Sequence, residues 1–181
     1  MGEAKRRQAE LRDQLLRKAD QWAFPPSQWE ADTVAELKTL PVVTVERMSA
    51  QDIAYMRMPA SECHGNCRWY EANDPTGTFR AVVGWLVDPE GNYVLHSVVS
   101  DGANYGCITP TVSDRRPFFE FIPDSKIAWQ DGDDGYRHAI RDGHAIGPGV
   151  RGDPEKTIAD VAEIKRKLLA GVHPLKAIEV V

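Results

Sequence analysis

The sequence predicts an α+β fold: an antiparallel sheet of about four or five strands, a cysteine-bearing helix packed on it, and helices at both termini. Three observations predict it. Helix-forming residues with helical apolar spacing bracket the chain, over about 3–22 and 154–170. Between them, Phe79 to Val87 and Tyr93 to Val99 are rich in β-branched and aromatic residues, and Asp88-Pro89-Glu90-Gly91-Asn92 joins them as a tight reversal. The composition, 42% hydrophobic and 27% charged over 181 residues, is that of one globular domain and excludes a disordered chain or a coiled-coil rod.

In chain order, Leu11, Leu15 and Leu16 form one stripe of an N-terminal amphipathic helix, which Pro25-Pro26 stops. The predicted organisation is therefore this helix over 1–26 and a single α+β domain with a C-terminal helix over 27–181. Pro41 opens a short apolar run to Val45 that reads as an edge strand. Ser49 caps a short helix to about Tyr55, and Ser61 is placed to cap a second from Glu62 to about Ala72, ended by Asn73-Asp74-Pro75. The two strong strands follow. Asp101-Gly102 is a hairpin signal leading into a third strand, Asn104 to Thr109, and the three form a meander. Phe118 to Ile122 is a further strand, and the Gly-rich stretch 131–152 reads as an irregular hairpin or loop. Asp153 caps the last long helix, with Pro154 at its first position and Gly171 as its stop. Trp69 and Trp85, inside periodic segments, read as core.

Charge and cysteine content exclude several roles. Lys+Arg 22 against Asp+Glu 27 gives a net charge of −5, which argues against nucleic acid as a partner. The first twenty residues carry six basic and four acidic side chains, the pattern of a solvated helix face and of a surface open to a protein partner. No run approaches the roughly 18 apolar residues of a membrane span, and the charged start Lys5-Arg6-Arg7 is unlike a secretory signal, so no membrane role is expected and the cytoplasm is the expected location. Three cysteines in a reducing compartment are expected to be free, metal-bound or catalytic.

Cys63 falls in the first turn of the second short helix, where free backbone donors and the helix dipole favour a thiolate. His96 lies mid-strand among Val94, Leu95, Val98 and Val99, a setting in which an imidazole calls for a purpose. A two-residue turn at Asp101-Gly102 sets His96 opposite Cys107, with both side chains on one face. Cys63-His64-Gly65-Asn66 through Trp69-Tyr70, then Gly84-Trp85, His96 and Ile108-Thr109-Pro110, resemble the papain-like cysteine fold in its transglutaminase-like and NlpC/P60-like forms. They are closest to a group of uncharacterised bacterial proteins with a Cys-His-x-Asn helix, a Gly-Trp strand, a His strand and an Asp-x-Thr-Pro segment. The resemblance covers roughly 60–125, and Cys107 stands where that group has Asp.

What the resemblance implies is a Cys-His hydrolase or acyl transferase for an amide, thioester or peptide-like bond, with a small-molecule or peptide substrate and no cofactor. Cys63 is then the nucleophile, His96 the proton carrier, Cys107 the third group and Asn66 an aid to substrate positioning. The same residues support a second reading, in which Cys63, Cys67, His96 and Cys107 hold a structural zinc ion. A third is a binding domain that keeps the scaffold without the chemistry.

Overall fold

The computed structural model describes residues 2–110, 116–133 and 135–179. The chain divides into two compact units, residues 32–150 and the two terminal stretches up to Ala31 and from Arg151. The division falls within one helix, α2 (Gln28–Leu37).

The central unit is a mixed barrel. Five strands, β1 (Val43–Arg47), β2 (Arg80–Val87), β3 (Tyr93–Ser100), β4 (Tyr105–Cys107) and β5 (Phe118–Pro123), run in the order β2-β5-β1-β4-β3, and β3 pairs back onto β2. The α+β class stands, but the sheet is not purely antiparallel: β1 and β4 are parallel, with Val45 opposite Tyr105 and Arg47 opposite Cys107. β1 is also an internal strand rather than the expected edge, since β5 pairs along its other side. Local apolar content identifies a strand but not its neighbours, which lie about 60 and 75 residues downstream.

Closure rests on Gly84. A Cβ there would lie 2.2 Å from the Ile122 carbonyl oxygen and 2.7 Å from Cζ of Phe121, so only glycine lets β2 approach β5 this closely. The barrel interior holds Val45, Val98, Cys107, Phe119 and Phe121. The next residue, Trp85, is fully buried and donates from Nε1 to Asp124 at 2.8 Å. The same Asp124 oxygen accepts from Arg141 Nε at 2.8 Å, and Arg141 reaches on to Glu36 at 2.9 Å.

Two short helices lie between β1 and β2. Ser49 caps α3 (Ala50–Met56) by accepting from the Asp52 N–H. The second, α4 (Cys63–Asn73), is capped at Glu62 without a side-chain bond; Ser61, expected as its cap, instead sits at φ 64° in the turn before it. Helix α4 packs on β2 and β3, where Met58, Cys67, Val99 and Ile108 form a second cluster outside the barrel. Trp69 faces away and is 55% exposed, contrary to its periodic reading, whereas Trp85 is core. The stretch read as irregular is largely ordered, as β6 (Ala128–Asp131), β7 (Arg137–Arg141) and β8 (His144–Ala145) in a small antiparallel sheet, and β9 (Gly149–Val150) on β3.

In the terminal unit, α1 (Glu3–Trp22) packs on α5 (Pro154–Leu169), and α6 (Pro174–Ala177) packs on both. Asp153 caps α5 by accepting from the Lys156 N–H, and Gly171 ends it at φ 83°. Arg151 is wholly buried here: it pairs with Glu30 through two 2.8 Å side-chain bonds, donates to the Trp22 and Phe24 carbonyls, and lies 3.7 Å over the Phe24 ring. Among the described residues no helix is long and apolar enough to cross a membrane.

Candidate active site

The candidate residues gather around β3, and the reason is a gap in its pairing. One edge of β3 bonds to β2 throughout. On the other edge β9 pairs with Tyr93 and Val94, the Leu95 N–H goes to the Pro148 carbonyl, and β4 pairs only with Val99 and Ser100. Among the described residues, His96 and Ser97 therefore have no strand paired with them on that edge. Helix α4 packs on β3, and the backbone N–H groups of Ser97, His64 and Cys63 favour the Cys63 thiolate.

Side chains of β3 alternate between the barrel and the helix. His96, like Val98, points inward; its Nε2 lies 3.5 Å from the Cys107 sulfur, and its ring edge meets Phe119 at a centroid distance of 5.7 Å. Ser97, like Val99, points outward and shares a 2.7 Å hydrogen bond with His64 Nδ1. Trp129, from β6, packs edge-on against His64 at 4.8 Å, and Arg68 lies over the Trp129 ring. Asn66 is buried; its amide donates to the Pro59 carbonyl at 2.9 Å and to Thr109 Oγ1 at 3.3 Å, tying α4 to the segment after β4.

The hairpin differs in register from the two-residue turn expected at Asp101-Gly102. Val99 pairs with Gly106 and Ser100 with Tyr105, so Cys107 stands opposite Val98, two places from His96. A slip of two conserves the face on which a side chain lies, whereas a slip of one reverses it. His96 and Cys107 therefore still meet, as diagonal neighbours.

Electrostatically the site is a set of neutral groups. Burial pushes the Cys63 thiol up, against the backbone donors that favour its thiolate, and the nearby Cys107 adds to the rise. Burial drives the Cys67 thiol higher still. Burial pulls the His96 imidazole down to about 3, with His64 and Arg47 adding to the effect, and pulls His64 down to about 4, with Arg68 contributing. Cys63 and His96 form no hydrogen bond with each other. His96 Nδ1 makes none among the described residues, so one ring nitrogen is engaged and one is not.

Cys67 belongs to the cluster between α4 and the sheet, Cys107 to the barrel interior, and no three metal-ligating side chains among the described residues converge. The surface cleft of about 420 Å³ bordered by Thr44, Val87, Pro89 and Phe118 contains none of the thiols or imidazoles.

Sequence reasoning missed Arg47, Ser97 and Thr109. Arg47 donates from Nη1 to the Cys107 sulfur at 3.4 Å, a contact made by the parallel β1–β4 pairing across 60 residues. No local pattern signals it. Neither protein-family models, nor curated proteins, nor solved structures yield a match to this chain.

Proposed function

We propose that the protein is a cysteine-dependent acyl hydrolase or transferase with a papain-like arrangement, acting on an amide, thioester or peptide-like bond. The observation that carries this reading is the placement of Cys63 in the first turn of α4, which packs on β3, the strand that bears His96, with the Ser97 backbone N–H favouring the thiolate. Burial raises the thiol and lowers the imidazole, so the resting pair is neutral and deprotonation accompanies attack.

In the reaction, His96 takes the Cys63 proton at Nδ1 as the sulfur bonds to the acyl carbon. The carbonyl π pair moves to oxygen, which backbone donors of the α4 start stabilise. Collapse expels the amine or thiol, which leaves with the proton held by His96. A water, or an acceptor in a transfer, then attacks the thioester with His96 again as base. Cys107 orients the imidazole through Nε2, and Asn66 holds α4 in place.

A brief, low-dose iodoacetamide pulse near pH 7, read by intact and peptide mass spectrometry, tests this. Alkylation is expected at Cys63 faster than at Cys67 and Cys107, slowed at least about tenfold in His96→Ala. Uniformly slow labelling of Cys63, Cys67 and Cys107 would leave a binding domain as the better account.

A further inference from the structure

We infer that Arg68, held in place by Trp129, is a carboxylate-binding specificity residue of this site, so that the acyl substrate carries a carboxylate roughly 6–10 Å from its reacting carbonyl. The carboxylate site stands on geometry alone, and its use in choosing a substrate rests on the acyl-transfer reading above.

Helix α4 brings the guanidinium to the turn that bears the thiol. Arg68 follows Cys63 by five residues and His64 by four. Five residues are about 7.5 Å of helix rise, and helical side chains lean toward the N-terminus, so Arg68 reaches back over the first turn. Its charge is felt there, where it helps to pull the His64 imidazole down. Trp129 joins the two side chains: the His64 ring meets it edge-on at 4.8 Å, and the Arg68 guanidinium carbon lies 5.4 Å from its ring centroid. His64 in turn shares a 2.7 Å hydrogen bond with Ser97, whose backbone N–H favours the Cys63 thiolate. Arg68, Trp129, His64 and Ser97 thus form one line of contacts that ends at the turn of Cys63.

The chemistry of the ligand follows from what this cation lacks. Arg68 is exposed, and ordering an exposed arginine on binding costs side-chain entropy. The indole face orders this one in advance. Contact with the ring leaves donors of the planar guanidinium fork for a partner, and that fork matches the two oxygens of a carboxylate. No carboxylate of the described residues pairs with Arg68: Glu71, on the next turn, pairs with Arg80 and accepts from the Ala81 N–H, and Asp131, beside Trp129 on β6, pairs with Arg137. The net charge of −5 repels anions from the surface at large, so an acid is drawn to this turn by its local cation.

The test titrates the full chain at neutral pH and low salt with N-acetyl-β-alanine and with its uncharged amide, following the Trp129 indole N–H and the backbone N–H groups of His64 and Arg68 by ¹H–¹⁵N correlation. The acid is expected to shift these signals along one saturable curve, at least about tenfold more tightly than the amide, and Arg68→Gln to erase the difference. Equal titration by acid and amide, or an acid curve unchanged in Arg68→Gln, overturns the inference. N-iodoacetyl-β-alanine and its amide then read the reach from the guanidinium to the thiol. Cys63 is expected to be alkylated at least about fivefold faster by the acid in wild type, a preference lost in Arg68→Gln. Alkylation that depends on His96 but shows no preference for the acid keeps the acyl-transfer reading and overturns this inference. Saturable binding of the acid with uniformly slow alkylation keeps the carboxylate site and removes the acyl-transfer reading.

Discussion

Gly84→Ala isolates the contact on which barrel closure depends. The added methyl would stand 2.2 Å from the Ile122 oxygen, about 1 Å inside an ordinary carbon–oxygen contact of roughly 3.3 Å, and 2.7 Å from Phe121 Cζ. Neither atom yields cheaply: one is backbone, and the other is a fully buried ring. Relief requires β2 and β5 to separate by about 1 Å over the ladder Gly84–Pro123, Trp85–Ile122 and Leu86–Phe121, which stretches its bonds from about 2.9 Å beyond hydrogen-bond range. Losing two or three backbone bonds at about 1 kcal/mol each, with the ring displaced, outweighs the gain of roughly 0.5–1 kcal/mol from replacing a strand glycine. The expected net loss is about 2–4 kcal/mol, or a Tm lowered by roughly 5–12 °C. Gly106→Ala is the control, because its methyl would meet only Val99 and Met48 side chains, at 3.7 and 3.8 Å. Urea unfolding followed by circular dichroism should separate the two variants. A Gly84→Ala protein within about 0.5 kcal/mol of wild type, or no worse than Gly106→Ala, would refute the closure account.

Two further outcomes follow from buried charge. His64 and His96, pulled down to about 4 and about 3 chiefly by burial, bind protons only at about pH 6.5 once unfolded. Their contribution is therefore complete above about pH 6.5 and is lost as pH falls, with up to two protons taken up on unfolding near pH 5, a slope of about 2.7 kcal/mol per pH unit. His64→Gln should roughly halve that slope; urea midpoints that stay flat from pH 7 to 4.5 would contradict it. In the terminal unit, Glu30→Ala leaves Arg151 without its carboxylate while both positions are buried, and a loss of about 3–5 kcal/mol is expected. Thermal melts showing less than about 1 kcal/mol would mean that the Trp22 and Phe24 carbonyls and the Phe24 ring suffice for the guanidinium.

Much of the secondary structure was legible because its signals are local. Ser49 and Asp153 cap their helices, and Gly91 takes the positive φ that turns β2 into β3. Cys63 does open a helix that ends at Asn73 as Asn73-Asp74-Pro75 signals, although its cap is Glu62 and not Ser61. The juxtaposition of His96 with Cys107 was also readable, despite the wrong register, since only the parity of the strand decides which face a side chain takes. Ser61 and Trp69 show the limit of such signals. A capping residue type does not make a cap when the turn before the helix needs a positive φ, and an aromatic on a periodic helix is not core when the contact face is set by the sheet below it.

The sequence by itself determined an α+β chain, the placement of its main strands and long helices, and the facing of the imidazole toward one thiol. Only the tertiary structure decided that the sheet closes through Gly84, that β1 lies parallel to β4, that α4 packs on β3, and that Arg47 reaches Cys107. The division has a physical cause. Caps, turns and strand alternation act over a few residues, whereas strand neighbours are chosen by packing across 60 residues or more, where no local preference records the partner.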